Sequence, residues 1–496
     1  MRADSPLFTI YSEGKEGELR EYTRRLEEYD GLLRTMTGTT RPPSPNKLTI
    51  YLVKDNAQLR KVTPRVSDDV QGLYLALSSG TIATAVRKDI GGKNWLSAQS
   101  IMFHEYTHHF VYQYFPANYP TWTSEGIAEY FSGVGFHDDH IEVGKFQNAR
   151  VYPLRTREWM PVDKLFNPKR NGSGMGMFYP ESWLVTHYMM DDEARRNKLN
   201  DYLLAIGRGE NGAKAFQGAF GMDYDAFDQV MKAYLSKGQV LIRKVPRNPV
   251  APEITITALP ASADKLLLPH ARFIADSLTE QDEVESYFGR KDLVKIRKAA
   301  AKFPNDALAL RTLAAGEMLY GDLAVADKAL DTVLAQNPGD IDALYIKAAR
   351  YVVEGRRNPE QRTALFAQAK PIAGEIQRRD PNHYPSLYVY ALGALANGQD
   401  ASENTLNVLR LAHQLAPQVD EISLEAAVAL SNAGEVTDAR RLLELVAYAP
   451  HSSSRSRYAR ALLSQVEKGS AIDHVPGELP RRKEAPANEE NSSEED

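Results

Sequence analysis

The residues of this chain best suited to chemistry are the two histidines and the glutamate of His104-Glu105-Tyr106-Thr107-His108. On a helix, positions four apart share one face, so both imidazoles can offer nitrogens to one cation while Glu105 reaches a water held by it. The surrounding stretch, Asn94 to Phe115, predicts a buried helix. Asn94 or Ser97 can cap it, Ile101, Met102, Phe103, Tyr106, Phe110 and Val111 fill it, and Pro116 stops it. Such a pentapeptide also occurs on ordinary apolar helices, so chemistry requires a further ligand close by.

A catalytic zinc takes three protein ligands and keeps one position open. The next segment, Trp122-Thr123-Ser124-Glu125-Gly126-Ile127-Ala128-Glu129-Tyr130-Phe131, offers Glu125 as the third, with sixteen residues separating it from His108. That is room for a loop through Pro116 and Pro120 and a second helix returning antiparallel. Glu129, one turn later, can accept the remaining ring N–H of a ligating histidine and fix its tautomer. Without a cation, two carboxylates at this spacing on an apolar helix repel each other.

The pairing of His104-Glu105-x-x-His108 with Glu125-Gly126-x-Ala128-Glu129-Tyr130 resembles the gluzincin metallopeptidases, above all in the aminopeptidase N-like and peptidase MA-like form Trp-x-x-Glu-Gly-x-Ala. The resemblance implies one zinc ion held by His104, His108 and Glu125, with Glu105 as general base and acid and Glu129 behind a ligand. It also implies a downstream tyrosine that donates to the oxyanion, which Tyr179 of Phe178-Tyr179-Pro180-Glu181-Ser182-Trp183 matches. Two departures stand: the aminopeptidase spacing is eighteen residues rather than sixteen, and no Gly-x-Met-Glu-Asn strand is present to bind a free amine. The metzincin pattern fails, because Val111 and Tyr114 occupy the positions of its glycine and third histidine. The implied reaction is peptide-bond hydrolysis, in which Glu105 takes a proton from water and returns it to the leaving amine.

Other histidines weigh less. His109 is rotated about 100° from His108 on the helix, which makes it a packed or exposed residue. His137-Asp138-Asp139-His140 has ligand-type residues in an acidic loop. His187, two turns beyond Tyr179, is a candidate for a second oxyanion contact. The remaining histidines, at 270, 383, 413, 451 and 474, show no metal spacing.

Alternating patterns ahead of the motif predict strands at Leu7–Tyr11, Lys47–Val53, Gly72–Leu77 and Thr81–Val86, and a helix from Glu16 to Met36. In the resembling family the strand beside the active helix binds substrate backbone, and Thr81–Val86 is placed for that role. After the glutamate helix come a hairpin-like stretch at Ile141–Val151 and a glycine-rich loop, Asn171 to Met177, without phosphate-loop spacing. Helices follow at Asp192–Ile206, Gly212–Phe220 and Tyr224–Ser236. The four tryptophans, Trp95, Trp122, Trp159 and Trp183, all fall in this half and predict one large core.

The stretch from 239 to 269 reads as a linker or small β-rich bridge. Beyond it the chain repeats: Pro304, Pro338, Pro381 and Pro417 are each followed seventeen residues later by Gly321, Gly355, Gly398 and Gly434, and Pro450 closes the series. Intervals of 34, 43, 36 and 33 residues carry the tetratricopeptide signature of helix pairs, with an insertion near Arg356–Thr363 in the longest. Leu310, Leu313 and Ala314 with Ala326 and Leu330 form the first pair, and a helix at Ser454–Val466 caps the last.

The expected fold class is therefore an α+β gluzincin-like domain, a small sheet plus a helical active-site subdomain, over 1–238. An all-α tetratricopeptide solenoid of about four repeats follows over 270–468, then an acidic disordered tail over 469–496. The expected function is zinc-dependent peptide cleavage, with a peptide or protein substrate and a protein partner on the concave face of the repeats. The alternative is a repeat scaffold with an inactive metallopeptidase-like domain. A net charge of −5 and a pI near 6.2 show no nucleic-acid footprint. No run approaches a membrane span of about 18 apolar residues. With no cysteines, neither disulfides nor thiolate sites can form. The start Met1–Pro6 lacks an apolar signal core, as in a cytoplasmic chain, whereas removal of a signal peptide would make the protein periplasmic or secreted.

Overall fold

In the computed structural model the chain is described apart from residues 65, 67–69, 88–97, 118, 168–174, 239, 240, 248–250, 279–282, 399, 400, 449–453, 471, 473 and 480–496. The expected cap Asn94, Trp95, most of the glycine-rich loop and most of the acidic tail lie outside the described residues.

The first half begins β1 (Arg2–Asp4), β2 (Phe8–Ser12), α1 (Glu16–Thr37), β3 (Leu48–Val53), α2 (Asn56–Val62), β4 (Gly72–Leu77) and β5 (Gly80–Val86). With β9 (Thr255–Thr257) these strands form a six-stranded mixed sheet in the order β4-β5-β3-β2-β1-β9. β2, β3 and β5 run parallel at its centre, while β4 and β1 pair antiparallel with their neighbours. The central strand Leu-Thr-Ile-Tyr-Leu-Val is apolar on both sides because both faces of the sheet are covered. Leu19, Leu26 and Tyr29 of α1 pack with Ile10, Ile50 and Ala83 on one face, and Leu59 and Val62 of α2 pack with Tyr51 and Val53 on the other.

Then come α3 (Ala98–Tyr114), α4 (Thr121–Ser132), β6 (Gly135–Phe136), β7 (His140–Val143), α5 (Asn148–Thr156), α6 (Val162–Phe166), α7 (Met175–Asp191), α8 (Glu193–Gly207), α9 (Gly212–Phe220) and α10 (Tyr224–Ser236). α3 shares the core of the sheet through Met102, Phe103, Tyr106 and Phe110. The hairpin expected at 141–151 sits earlier, at 135–143; residues 148–156 are helical despite Pro153. Of the described tryptophans, Trp122 stacks on Phe166 among the helices α6 to α10, Trp183 packs with Leu154, Met177 and Leu184, and Trp159 packs against both groups.

The 239–269 stretch is built into neighbouring structure. β8 (Arg243–Pro246) extends the β6–β7 hairpin into a three-stranded sheet, β9 completes the large sheet, and α11 (Ala263–Asp276) starts within the stretch and runs through Pro269. Pro269 falls about two turns into α11, where it forgoes one backbone hydrogen bond, and Ala271 just beyond it packs against Tyr51 and Val53 of the sheet.

The second half is an array of helix pairs. α11 and α12 (Glu283–Ala300) lead into α13 (Ala307–Tyr320), α14 (Leu323–Gln336), α15 (Ile341–Arg357), α16 (Arg362–Arg379), α17 (Tyr384–Leu395), α18 (Glu403–Leu415), α19 (Asp420–Asn432), α20 (Val436–Ala447) and α21 (Ser454–Glu467). Each repeat proline precedes the first helix of a pair: Pro304 before α13, Pro338 before α15, Pro381 before α17 and Pro417 before α19. Aspartates at the N-caps of α13, α14 and α15 accept backbone N–H groups, closing the turns between helices. The longest repeat owes its extra length to longer helices, α15 and α16, joined by a short 3-10 turn at Pro359–Gln361. Among the described residues no helix is long and apolar enough to cross a membrane.

Candidate metal centre and cleft

α3 is placed by α1 through polar contacts as well as apolar packing. The Tyr29 hydroxyl meets Thr107 Oγ1 at 2.7 Å, and the Tyr106 hydroxyl donates to Asp30 at 2.8 Å, which in turn pairs with Arg34. These buried bonds fix the rotation of α3 about its axis, because satisfying them leaves one face toward α1 and turns His104 and His108 away.

α4 lies antiparallel to α3: Tyr112, His108 and His104, read backwards along α3, meet Ser124, Glu125 and Glu129 read forwards along α4. His104 Nε2 is 3.1 Å from His108 Nε2 and 3.2 Å from Glu125 Oε2, and His108 Nε2 is 3.5 Å from that same oxygen. Three donors bound at about 2.0–2.1 Å around a tetrahedral zinc would lie ~3.3 Å apart. The donor set and its spacing therefore fit a zinc ion.

The other nitrogens of these rings are also held. His104 Nδ1 lies 3.2 Å from Glu129 Oε1, and the two Glu129 oxygens each accept from Arg150 at 2.6 Å. Burial works against charge on Glu129, but Arg150 and His104 outweigh it and hold its pKa down at about 2. Burial likewise works against a proton on His104, yet Glu125 and Glu129 raise its pKa to about 10. His108 Nδ1 is 3.4 Å from Ser124 Oγ, which also meets the Tyr112 hydroxyl at 3.1 Å.

Tyr179 comes from α7, whose approach to α4 depends on Gly126. A Cβ at Gly126 would sit 2.1 Å from Thr186 Oγ1 and 2.5 Å from the Ser182 carbonyl oxygen of α7, so only glycine allows this crossing. Arg150 stacks 5.3 Å from the Tyr179 ring centroid. The Tyr179 hydroxyl is held far above its ordinary pKa, first by burial and then by the negative charges of Glu125, Glu129 and Glu105. It stays protonated, within the field of the same carboxylates that surround the donor cluster.

Two expectations take a different form, while His109 is packed as its place on the helix predicts. Thr81–Val86 lies inside the sheet as β5, between β4 and β3, so its backbone is already paired on both sides. The edge strand beside α3 is β4, where Gly72 lets the strand approach so closely that a Cβ would meet Ile101 Cγ2 at 2.5 Å. His187 does not face the cleft: its Nδ1 meets the Tyr234 hydroxyl at 2.9 Å and its ring packs on Tyr130 and Trp183. His109 is buried, pairs with the Tyr74 hydroxyl at 2.9 Å, and is held neutral by burial with its pKa lowered to about 4.

A second group, His137, His140 and Glu142 on the β6–β7 hairpin, also brings donor atoms within 4.8 Å of one another. There Lys145 Nζ shares the Glu142 oxygen at 3.3 Å and His137 is exposed, an arrangement that a solvated turn already satisfies.

A cleft of about 180 Å³ opens beside Glu105 and His108, with Tyr74 of β4 and Tyr112 of α3 along it. Its opposite wall comes from the helix array. The array is tied to this half by Tyr384, whose hydroxyl donates to the Leu77 carbonyl at 2.9 Å, and by Gln113, which donates to the Leu415 carbonyl at 3.3 Å.

Arg150, Ser124 and Tyr74 were not marked by any sequence pattern. Ser124 adjoins Glu125 and could have been noticed as its neighbour, but nothing in the stretch around Arg150 signals a partner for Glu129.

No family model matches the chain, and no curated protein matches it. Among solved structures, a thermophilic tetratricopeptide-repeat protein from Thermus thermophilus aligns over 42% of this chain and 100% of its own, at 18% identity and a TM-score of 0.31.

Proposed function

We propose that this protein is a zinc-dependent hydrolase of the gluzincin type that cleaves peptide bonds, with the helix array binding substrate or a protein partner. The observation that carries this reading is the convergence of His104 Nε2, His108 Nε2 and Glu125 Oε2 at 3.1–3.5 Å, beside a cleft that Glu105 also lines. In this reading His104, His108 and Glu125 hold the ion, and Glu129, clamped by Arg150, orients His104. Bound there, zinc would acidify water toward a pKa of about 7 and polarise a carbonyl. Glu105 accepts the proton of the attacking water and passes it to the departing amine. Tyr179, kept protonated, donates a hydrogen bond to the developing oxyanion.

The rival reading, a repeat scaffold whose first half is catalytically silent, is favoured by the extent of the helix array, from α11 to α21. The two separate on elemental analysis of wild type and Glu125→Ala, joined to a fluorogenic peptide library assayed beside Glu105→Gln. The hydrolase reading expects about one zinc per chain, its loss with Glu125, and cleavage that disappears in Glu105→Gln. Zinc-free wild type sinks it and leaves the scaffold.

A further inference from the structure

The cleft beside Glu105 and His108 is finished by residues about 300 positions away in sequence. Pro417, Gln418 and Asp420, at the turn into α19, line it, together with Leu445 and Val446 of α20. Its charged lining is acidic: Glu105 and Asp420 face it, and no lysine or arginine does among the described residues. Gln418 lines the cleft, and its Oε1 is buried without a hydrogen-bond partner, an acceptor whose lost hydration is uncompensated unless something donates to it. Asp420 is half-buried and makes no ion pair among the described residues, although carboxylates elsewhere in the array, such as Asp340, Glu317 and Glu435, are paired with arginines. A place on the first turn of α19 accounts for an acid at this position. It does not account for a carboxylate without an ion-pair partner beside a residue, Gln418, that lines the same cleft and whose amide oxygen is unmet.

The combination of two acceptors, one of them charged, with apolar walls from Pro417, Leu445 and Val446 matches a long cationic side chain. A lysine or arginine stem lies along apolar surface while its head supplies donors and positive charge. At about 180 Å³ the cleft is smaller than the ~300–1,000 Å³ typical of small-molecule sites, a size for one side chain of a longer chain.

We infer that the helix array completes the substrate cleft, and that Gln418 and Asp420 are specificity-determining residues selecting a polypeptide with a lysine or arginine beside the bond to be cleaved. The inference rests on the hydrolase reading for the bond, but the selection itself is a property of binding and can be measured apart from turnover.

The test uses the full chain carrying Glu105→Gln, which removes turnover, and fluorescein-labelled octapeptides that differ only in a lysine, norleucine or glutamate at a scanned position. Fluorescence anisotropy is expected to show the lysine peptide binding about 10-fold tighter than its norleucine counterpart at low salt. Adding Asp420→Asn should bring that ratio to about 1, Asp420→Lys should turn the preference toward glutamate, and Gln418→Leu should lower lysine binding about 3-fold. Unchanged thermal unfolding of the Asp420 and Gln418 variants confirms that the fold is kept. Equal binding of the lysine and norleucine peptides, a preference that survives Asp420→Asn, or no binding of any peptide overturns the inference. Wild type assayed on the same peptides keeps the two ideas apart. Asp420-dependent binding without cleavage sinks the hydrolase reading alone, and cleavage without basic preference sinks the selection alone.

Discussion

Arg150 grips both carboxylate oxygens of Glu129 at 2.6 Å, and Glu129 in turn lies 3.2 Å from His104 Nδ1. The charge on Glu129, almost fully buried, is balanced on one side by a guanidinium and on the other by an imidazole. Removing the guanidinium leaves a buried carboxylate without its main partner, which typically costs about 3–5 kcal/mol. Arg150→Ala is expected to lower stability by about that much in denaturant unfolding, and an effect far smaller than this would show that the pair is dispensable.

Glu129→Gln keeps the shape of the side chain but not the charge that orients His104. If His104 holds zinc, the variant should bind it about 10- to 100-fold more weakly, read by competition with a chromogenic chelator. Equal affinity would remove Glu129 from any part in the metal centre.

Gly126 is required by the crossing of α4 and α7, where a Cβ would meet Thr186 Oγ1 at 2.1 Å and the Ser182 carbonyl at 2.5 Å. Overpacking of this kind costs about 1–3 kcal/mol even after relaxation. Gly126→Ala should therefore lose about that much stability despite the better helix propensity of alanine. A double variant with Thr186→Ala should recover only part of the loss, because the Ser182 carbonyl is backbone.

Glu181 is buried and accepts the Met160 N–H at 2.8 Å, and burial raises its pKa from 4.5 to about 8. A carboxyl raised in this way keeps its proton in the folded chain after the unfolded chain has released it. Its contribution to stability is whole below pH 4.5 and is lost progressively as pH rises to about 8. Glu181→Gln, neutral at every pH, should be more stable than wild type by about 4 kcal/mol at about pH 8 and match it at about pH 4. Parallel unfolding curves at the two pH values would exclude the shift.

Tyr179 gives a kinetic prediction that depends on the proposed reaction. Tyr179→Phe keeps the stacking on Arg150 and removes one donor, so kcat on a cleaved peptide should fall about 10²- to 10³-fold with KM nearly unchanged. A change confined to KM would make Tyr179 a binding residue and leave the oxyanion to another group.

The local elements and the helix faces that carry the donors were legible in the sequence because short-range rules decide them. Leu48–Val53 is a strand by its apolar run, α1 is a helix by its periodicity, and four prolines mark where helix pairs begin. His104 and His108 share a face by helix geometry alone, and Glu125 and Glu129 share another. Tertiary structure decided what meets those faces. β5 had the sequence of a sheet strand, yet its place inside or at the edge depended on where β4 paired. His187 sat on the same helix as Tyr179, yet packing turned it toward Tyr234. Arg150 against Glu129, and Gln418 and Asp420 across from Glu105, bring together residues 21 to about 300 positions apart. No periodicity records such pairs, because their proximity follows from how whole helices and sheets bury their apolar faces against one another, and not from the residues beside them in the chain.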